Sequence, residues 1–151
     1  MSHTVHYVCS TFVTATPESL YAFHQSPHNI SCIAAPFPPI RVLAANHVAR
    51  VGDTFELVIG FPVRPLKWLG KWLVTEEPSR LVDTVLAPPI PDFHHEHRFD
   101  PAQGGATMTD TISFSIGKIP GAALLAWSFQ RVILPIVFAD RHRKTRRHFR
   151  Q

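Results

Sequence analysis

The stretch FHHEHRFDPAQGGATMTDTISFSI, residues 93–116, holds two alternating runs on either side of a glycine-rich break. Side chains along a β-strand alternate between faces, so a strand over 93–100 puts Phe93, His95, His97 and Phe99 on one side and His94, Glu96 and Arg98 on the other. In the second run Met108, Asp110, Ile112, Phe114 and Ile116 share a face, opposite Thr107, Thr109, Thr111, Ser113 and Ser115. Two such runs joined by PAQGGA predict an antiparallel hairpin. For apolar faces to lie on the same side, Asp110 must sit beside His95 or His97 in either sensible register. Two imidazoles and a carboxylate then meet on an inner wall, where polar groups are rare unless they have partners or a task.

Outward from this hairpin the chain keeps the same texture. TVHYVCSTFVT at 4–14 is β-branched and aromatic, a first strand. In the segment that follows, Thr16 suits a cap, Pro17 the first helical position and Glu18 the positive end of the helix dipole, so a short helix is expected. Pro27 ends it and opens a second short helix, PHNISCIAA, before PFPP breaks the chain. Further strands are expected near 40–47, 53–61, 67–76 and 80–87. In 53–61, Phe55, Leu57, Ile59 and Phe61 share a face. Short connections between closely spaced strands argue for an antiparallel meander. After GKIPG the period changes, and Leu124, Trp127, Val132 and Ile136 suit one long helix to about residue 148, bent by Pro135.

The order is therefore strand, two short helices, six strands and a long helix, an α+β fold in one domain spanning 1–151. A curved sheet with the long helix across its concave face buries both apolar surfaces, and a cavity is expected where the two stand apart.

Composition narrows the function classes. Of 15 Lys and Arg residues, 6 fall in RHRKTRRHFRQ at 141–151; the other 9 stand against 11 acidic residues, a net of −2 over residues 1–140. The basic end reads as the solvated end of a helix, complementing its dipole, and carries no nucleic-acid motif. Two cysteines, Cys9 and Cys32, are too few for a disulfide scaffold. The first residues lack the pattern of a secretory signal, which makes the cytoplasm the expected location. The apolar run at 122–139 is interrupted by Gln130, Arg131 and Pro135 and reads as a soluble helix rather than an integral membrane segment. No nucleophile elbow, phosphate loop or dinucleotide fingerprint is present, and no cofactor or resident metal is called for. Oligomeric state is left open.

The element order, with HEHRF at 95–99, GGATMTDTISFSI at 104–116, WLVTEEPSRLVDT at 72–84 and VFADRHRKTRRHF at 137–149, resembles the SRPBCC superfamily. This is the helix-grip fold of START lipid-transfer domains, the birch pollen allergen family and polyketide cyclases. The resemblance is strongest to its small bacterial ligand-binding or cyclase/dehydrase branch, which shares a His-x-His-x-Phe strand, a Gly-Thr hairpin partner carrying an Asp, and a Phe-x-x-Arg in the last helix. Here these fall on His95, His97, Phe99, Thr107, Asp110, Phe138 and Arg141, with Ala106 between Gly105 and Thr107. The resemblance implies a cavity for a hydrophobic or amphipathic small molecule. It does not fix a reaction.

Three readings of the trio compete. His95, His97 and Asp110 form a buried hydrogen-bonded cluster in which Asp110 fixes a tautomer and accepts from Arg141; or they orient a ligand oxygen, with a histidine as acid or base; or they hold a metal. The expected function is binding of a small hydrophobic ligand, with Phe55, Leu57, Trp72, Phe93 and Phe114 as walls and His95, His97, Asp110 and Arg141 as polar contacts. The alternative is a cyclase, dehydratase or aromatase acting on a polyketide-like carbonyl substrate, with His95, His97 and Asp110 as catalytic candidates. A module that docks its basic end on an acidic partner is a third. Trp68, on the face of Trp72, reads as core; Asp83 and Glu56 read as outward-facing, and His24 as one of several scattered histidines without a task.

Overall fold

A computed structural model describes residues 2–36, 38–60, 63–86 and 90–150. In chain order they form β1 (His3–Val13), α1 (Pro17–His24), a 3-10 turn (Pro27–Asn29) leading into α2 (Ile30–Ile33), β2 (Ile40–Ala44), β3 (Thr54–Ile59), β4 (Leu66–Glu76), β5 (Arg80–Val85), β6 (His94–Ala102), β7 (Gly105–Ile116), α3 (Ala122–Ser128), a π-helical turn (Phe129–Ile133) and α4 (Leu134–His148). The seven strands make one antiparallel sheet in the order β1-β7-β6-β5-β4-β3-β2. Six follow one another as a meander, and β1 closes against β7 through the register Val5–Phe114 and Cys9–Asp110. This is the α+β helix-grip arrangement that the element order predicts. Several boundaries are shorter than expected, since β2 stops at Ala44 rather than 47 and β3 at Ile59; Phe61 and Ala87 lie outside the described residues.

Local chemistry accounts for the elements. Thr16 Oγ1 accepts from the Ser19 backbone N–H at 3.2 Å, Pro17 occupies the first helical position, and Glu18 lies in the first turn of α1. Burial alternates without exception along β7, with Ala106, Met108, Asp110, Ile112, Phe114 and Ile116 inward. Gly105 of β7 has no room for a side chain, because a Cβ there would overlap the Val13 carbonyl. Two apolar clusters fill the interior: Val13, Leu20, Tyr21, Phe55, Trp72, Phe99 and Met108 toward one end, and Val5, Ile112, Phe114, Leu134 and Phe138 toward the other.

The C-terminal helix departs from regularity next to Pro135. Proline has no N–H for the carbonyl four residues back, and the preceding turn opens so that Leu134 N–H donates to Phe129 O, five residues back. The whole helix Ala122–His148 has 27 residues and a stretch of mean hydropathy 1.7, the length and composition of a membrane span despite Gln130, Arg131 and Pro135. Ala122, Ala126, Leu134 and Phe138 pack inward, while Leu124, Trp127 and Ile136 are exposed.

The basic end is not a solvated tail. Arg146 Nη1 donates to Thr11 Oγ1 at 2.6 Å, Lys144 Nζ to the Ala34 carbonyl at 2.5 Å, and Phe149 packs edge-on against Phe23. Phe138, His142 and Thr145 form a buried stripe at the i, i+4, i+7 spacing of one helix face. The last helix is thus docked on the sheet and the short helices along its length.

Candidate functional site

Between the sheet and α4 lies a cavity of about 220 Å³. Each strand from β3 to β7 contributes inward residues: Phe55 and Leu57, Trp68 and Trp72, Asp83, His95 and His97, and Ile112, with Phe93 just before β6. Phe23 and His24 of α1 and Leu134, Val137, Phe138 and Arg141 of α4 cover it. The volume exceeds the ~150 Å³ apolar cavity that admits benzene, so the space suits a body of one or two rings.

Of the residues predicted from sequence, Phe55, Leu57, Trp72, Phe93, His95, His97 and Arg141 line the cavity. Phe114 does not; it stands behind the Phe93 ring, centroids 6.4 Å apart, and meets Phe129 edge-on. Asp110 does not either, being fully buried behind the imidazoles. Trp68, read as core, is part of the wall and meets Phe93 edge-on at 4.9 Å.

Register explains how the polar wall assembles. Asp110 is directly opposite His97 across the β6–β7 ladder, and Asp83 directly opposite His95 across β5–β6. Asp110 Oδ1 lies 3.2 Å from His95 Nε2 and 2.6 Å from His97 Nδ1, the latter at an angle short of a full hydrogen bond. Its other oxygen accepts from His142 Nε2 at 2.6 Å. The anticipated partner Arg141 makes no such bond, because one residue along α4 turns a side chain by about 100° and it is His142 that points at the sheet. Arg141 instead places its guanidinium 5.6 Å over the Phe138 ring, and its Nε is buried without a partner among the described residues.

Three members of this wall escaped the sequence reading. Asp83, expected to face outward, is 6% exposed and shares the inward face of β5 with Leu81. The apolar pattern is ambiguous there, since Leu81 and Val82 are both buried. The signal was the shared parity of Asp83 with Leu81. His24, read as idle, is buried in α1, and its Nδ1–H donates to the Leu20 carbonyl at 2.8 Å. Its Nε2 is left an acceptor without a partner among the described residues. His142 was hidden in the basic run; its spacing of four from Phe138 is the signal that marks it as inward.

Electrostatics follows from this enclosure. Burial raises Asp110, but the attraction of His97 and the N–H donors of His142, His95 and His97 outweigh it, and its carboxyl is held well below the usual carboxylate range. Burial, followed by the neighbouring His95, holds His97 well below the usual imidazole value. His24 is lowered to about 4, by burial and then by Arg141. Burial pushes Asp83 up to about 6, against the pull of His95 and Arg141. At neutral pH the wall thus holds an anionic Asp110 and the neutral imidazoles of His24 and His97, with an Asp83 close to its titration point.

Comparisons with known proteins locate the fold. No family model matches the chain, and no curated protein matches it in sequence. Solved structures do match. The di-domain ARO/CYC StfQ from the steffimycin biosynthetic pathway superposes with TM-score 0.75 at 11% identity, over 97% of this chain and 51% of that one. A protein of unknown function, SA2116 from Staphylococcus aureus, gives 0.73 at 11% identity over 99% and 98% of the two chains. Protein CV1439 from Chromobacterium violaceum gives 0.67 at 16% identity over 97% and 99%. At these identities the likeness is one of fold.

Proposed function

We propose that this chain, as a member of the SRPBCC superfamily, binds a small, largely apolar molecule with one polar end in the cavity between the sheet and α4. The observation that carries this reading is the pairing of aromatic and aliphatic walls with two buried polar atoms that lack partners among the described residues, His24 Nε2 and Arg141 Nε, on residues that line the cavity. An unpaired buried polar atom costs about 1–3 kcal/mol. A ligand that brings a hydroxyl donor to His24 and an oxygen acceptor to Arg141 offsets both costs while displacing water from apolar walls. The reading puts the protein in the cytoplasm and gives no role to nucleic acid.

The test uses Trp68 and Trp72, which line the cavity, while Trp127 is exposed on α3. In a Trp127→Phe background, titration with a phenolic one- or two-ring compound should quench tryptophan emission to saturation at one molecule per chain. Native mass spectrometry of the protein from its own host should show a co-purified organic mass. Absence of both counts against a binding function.

A second reading is favoured by the two imidazoles, His95 and His97, that face the cavity. In it the protein is a cyclase, dehydratase or aromatase, and His95 or His97 removes a proton next to a substrate carbonyl while Arg141 meets the developing oxyanion. The volume of about 220 Å³ suits a substrate whose reacting part has one or two rings. Turnover abolished by His97→Ala, with binding weakened only modestly, would separate catalysis from carriage.

A further inference from the structure

His95 and His97 each have one ring nitrogen in contact with Asp110, through His95 Nε2 and His97 Nδ1. With a proton on each of those nitrogens, the opposite atoms, His95 Nδ1 and His97 Nε2, carry lone pairs. Both turn toward one carboxylate oxygen: Asp83 Oδ2 lies 3.6 Å from His95 Nδ1 and 4.0 Å from His97 Nε2. All three atoms lie within 4.8 Å of one another, on residues that are buried. Three acceptors facing one another repel unless something electrophilic lies among them.

We propose that Asp83, His95 and His97 form a binding site for a divalent ion of the zinc class on the polar wall of the cavity. Donors bonded at ~2.0–2.1 Å around a tetrahedral ion stand roughly 3.3 Å apart; the carboxylate oxygen stands at 3.6 and 4.0 Å from the two nitrogens and the nitrogens within 4.8 Å of each other, so closing on an ion takes side-chain shifts of up to about an ångström. Two imidazoles and one carboxylate select Zn²⁺, Co²⁺ or Fe²⁺ over Mg²⁺ and Ca²⁺, which prefer all-oxygen shells. Asp110 fills the outer role common to such centres, orienting both rings through their far nitrogens. Its own second oxygen is engaged by His142 at 2.6 Å, which makes the neighbouring Cys9, Asp110 and His142 group a strut between β7 and α4 rather than a second site. Because the three residues line the cavity, the open coordination position faces the space where an organic molecule would lie. The sequence had suggested Asp110 as the carboxylate ligand; the register across β5 and β6 gives that place to Asp83. The inference goes beyond the binding function, since an ion is held there whether or not the apolar space is filled.

The experiment is titration of the metal-stripped full chain with Co²⁺, followed by its visible d–d absorption. One Co²⁺ per chain should bind, with bands of tetrahedral or five-coordinate intensity that Zn²⁺ abolishes. Asp83→Asn and His97→Gln should each weaken binding by roughly 100-fold or more, and Asp110→Asn by about 10–100-fold. His28→Ala should change nothing; it breaks the stacked His28 and His47 pair, the competing exposed site, whose rings lie 4.4 Å apart. X-ray absorption of the Co²⁺-loaded unmodified chain should count two imidazoles, a readout that needs no variant to fold. Absence of the bands, their loss in His28→Ala, their survival in Asp83→Asn with His97→Gln, or a shell of a different imidazole count overturns the site. Quenching of Trp68 and Trp72 by the phenolic probe in the metal-free chain is scored separately, so failure of one reading leaves the other standing.

Discussion

Asp110 and His142 are joined by a 2.6 Å hydrogen bond between Oδ2 and Nε2, a contact that ties β7 to α4 across 32 residues of chain. On its other side the same carboxylate touches His95 and His97, so one fully buried anion organises two elements of the sheet wall and the helix that covers it. Removing the anion leaves the N–H groups of His95 and His142 without their acceptor and His97 without the charge beside it, whereas removing His142 deletes one charged hydrogen bond. Asp110→Ala should therefore lower unfolding free energy by about 3–5 kcal/mol and His142→Ala by about 2 kcal/mol, measured by urea denaturation. Equal losses would refute the central role of Asp110.

Acid should destabilise the metal-free chain in a window set mainly by histidine. His24 titrates near 6.5 when unfolded and near 4 in the fold, so between these values the unfolded chain holds the extra proton and stability falls as pH falls. His97, lowered by burial, acts in the same direction. Asp83 opposes them, since its folded value of about 6 lies above the unfolded 3.8, and over that interval acid favours the fold. The groups facing His24 are Arg141 from α4, Asp110 from β7 and His95 and His97 from β6. Two imidazoles against one carboxylate leave a net loss of stability as pH falls from 6 to 4. His24→Gln should flatten this slope and Asp83→Asn should steepen it. A Tm that rises on acidification over this range would contradict the assignment.

Cys9 lies beside His142, its Sγ 3.8 Å from Nε2, and burial followed by the charge of Asp110 pushes its thiol up to about 12. Cys32 is exposed. With an aromatic disulfide reagent at pH 8, one thiol per chain should react promptly and Cys9 roughly 100-fold or more slowly, until denaturant releases it. Two equally fast thiols would mean that α4 does not stay docked on β1.

Gly70 in β4 is directly opposite Phe55 in β3, and the Phe55 ring lies across the place a side chain at 70 would fill. Gly70→Ala should push that ring into the cavity, costing about 1–3 kcal/mol of stability and weakening the phenolic probe at least tenfold. Unchanged probe affinity would exclude Phe55 from the wall.

Arg141→Met keeps the apolar stem of the side chain over Phe138 and removes the guanidinium. It should weaken a phenol or carboxylate-bearing probe by about 10-fold, the loss of one charge-assisted contact, and leave a purely apolar probe of the same size unaffected, as read by tryptophan quenching. Equal loss for both probes would make Arg141 a packing residue only.

The chain by itself determined the order of its elements, because that order is written in local signals. Period-2 runs such as 106–116, the Thr16-Pro17-Glu18 helix start, and the change of period after Pro120 each depend on residues a few positions apart. Alternation also determined that His95, His97 and Asp110 share an inner wall, since parity along two adjacent strands leaves no other arrangement. The tertiary structure decided who completes that wall. Asp83 arrives from β5, where consecutive buried residues hide the parity; His24 arrives from α1, a lone histidine with no pattern around it. His142, and not its neighbour Arg141, reaches Asp110 because the rotation of a helix about its axis is settled by everything it packs against. Side-chain parity is local and survives in a string of letters, whereas the meeting of β6, β7 and α4 at one carboxylate is a property of how the sheet curves and where the helix lies on it.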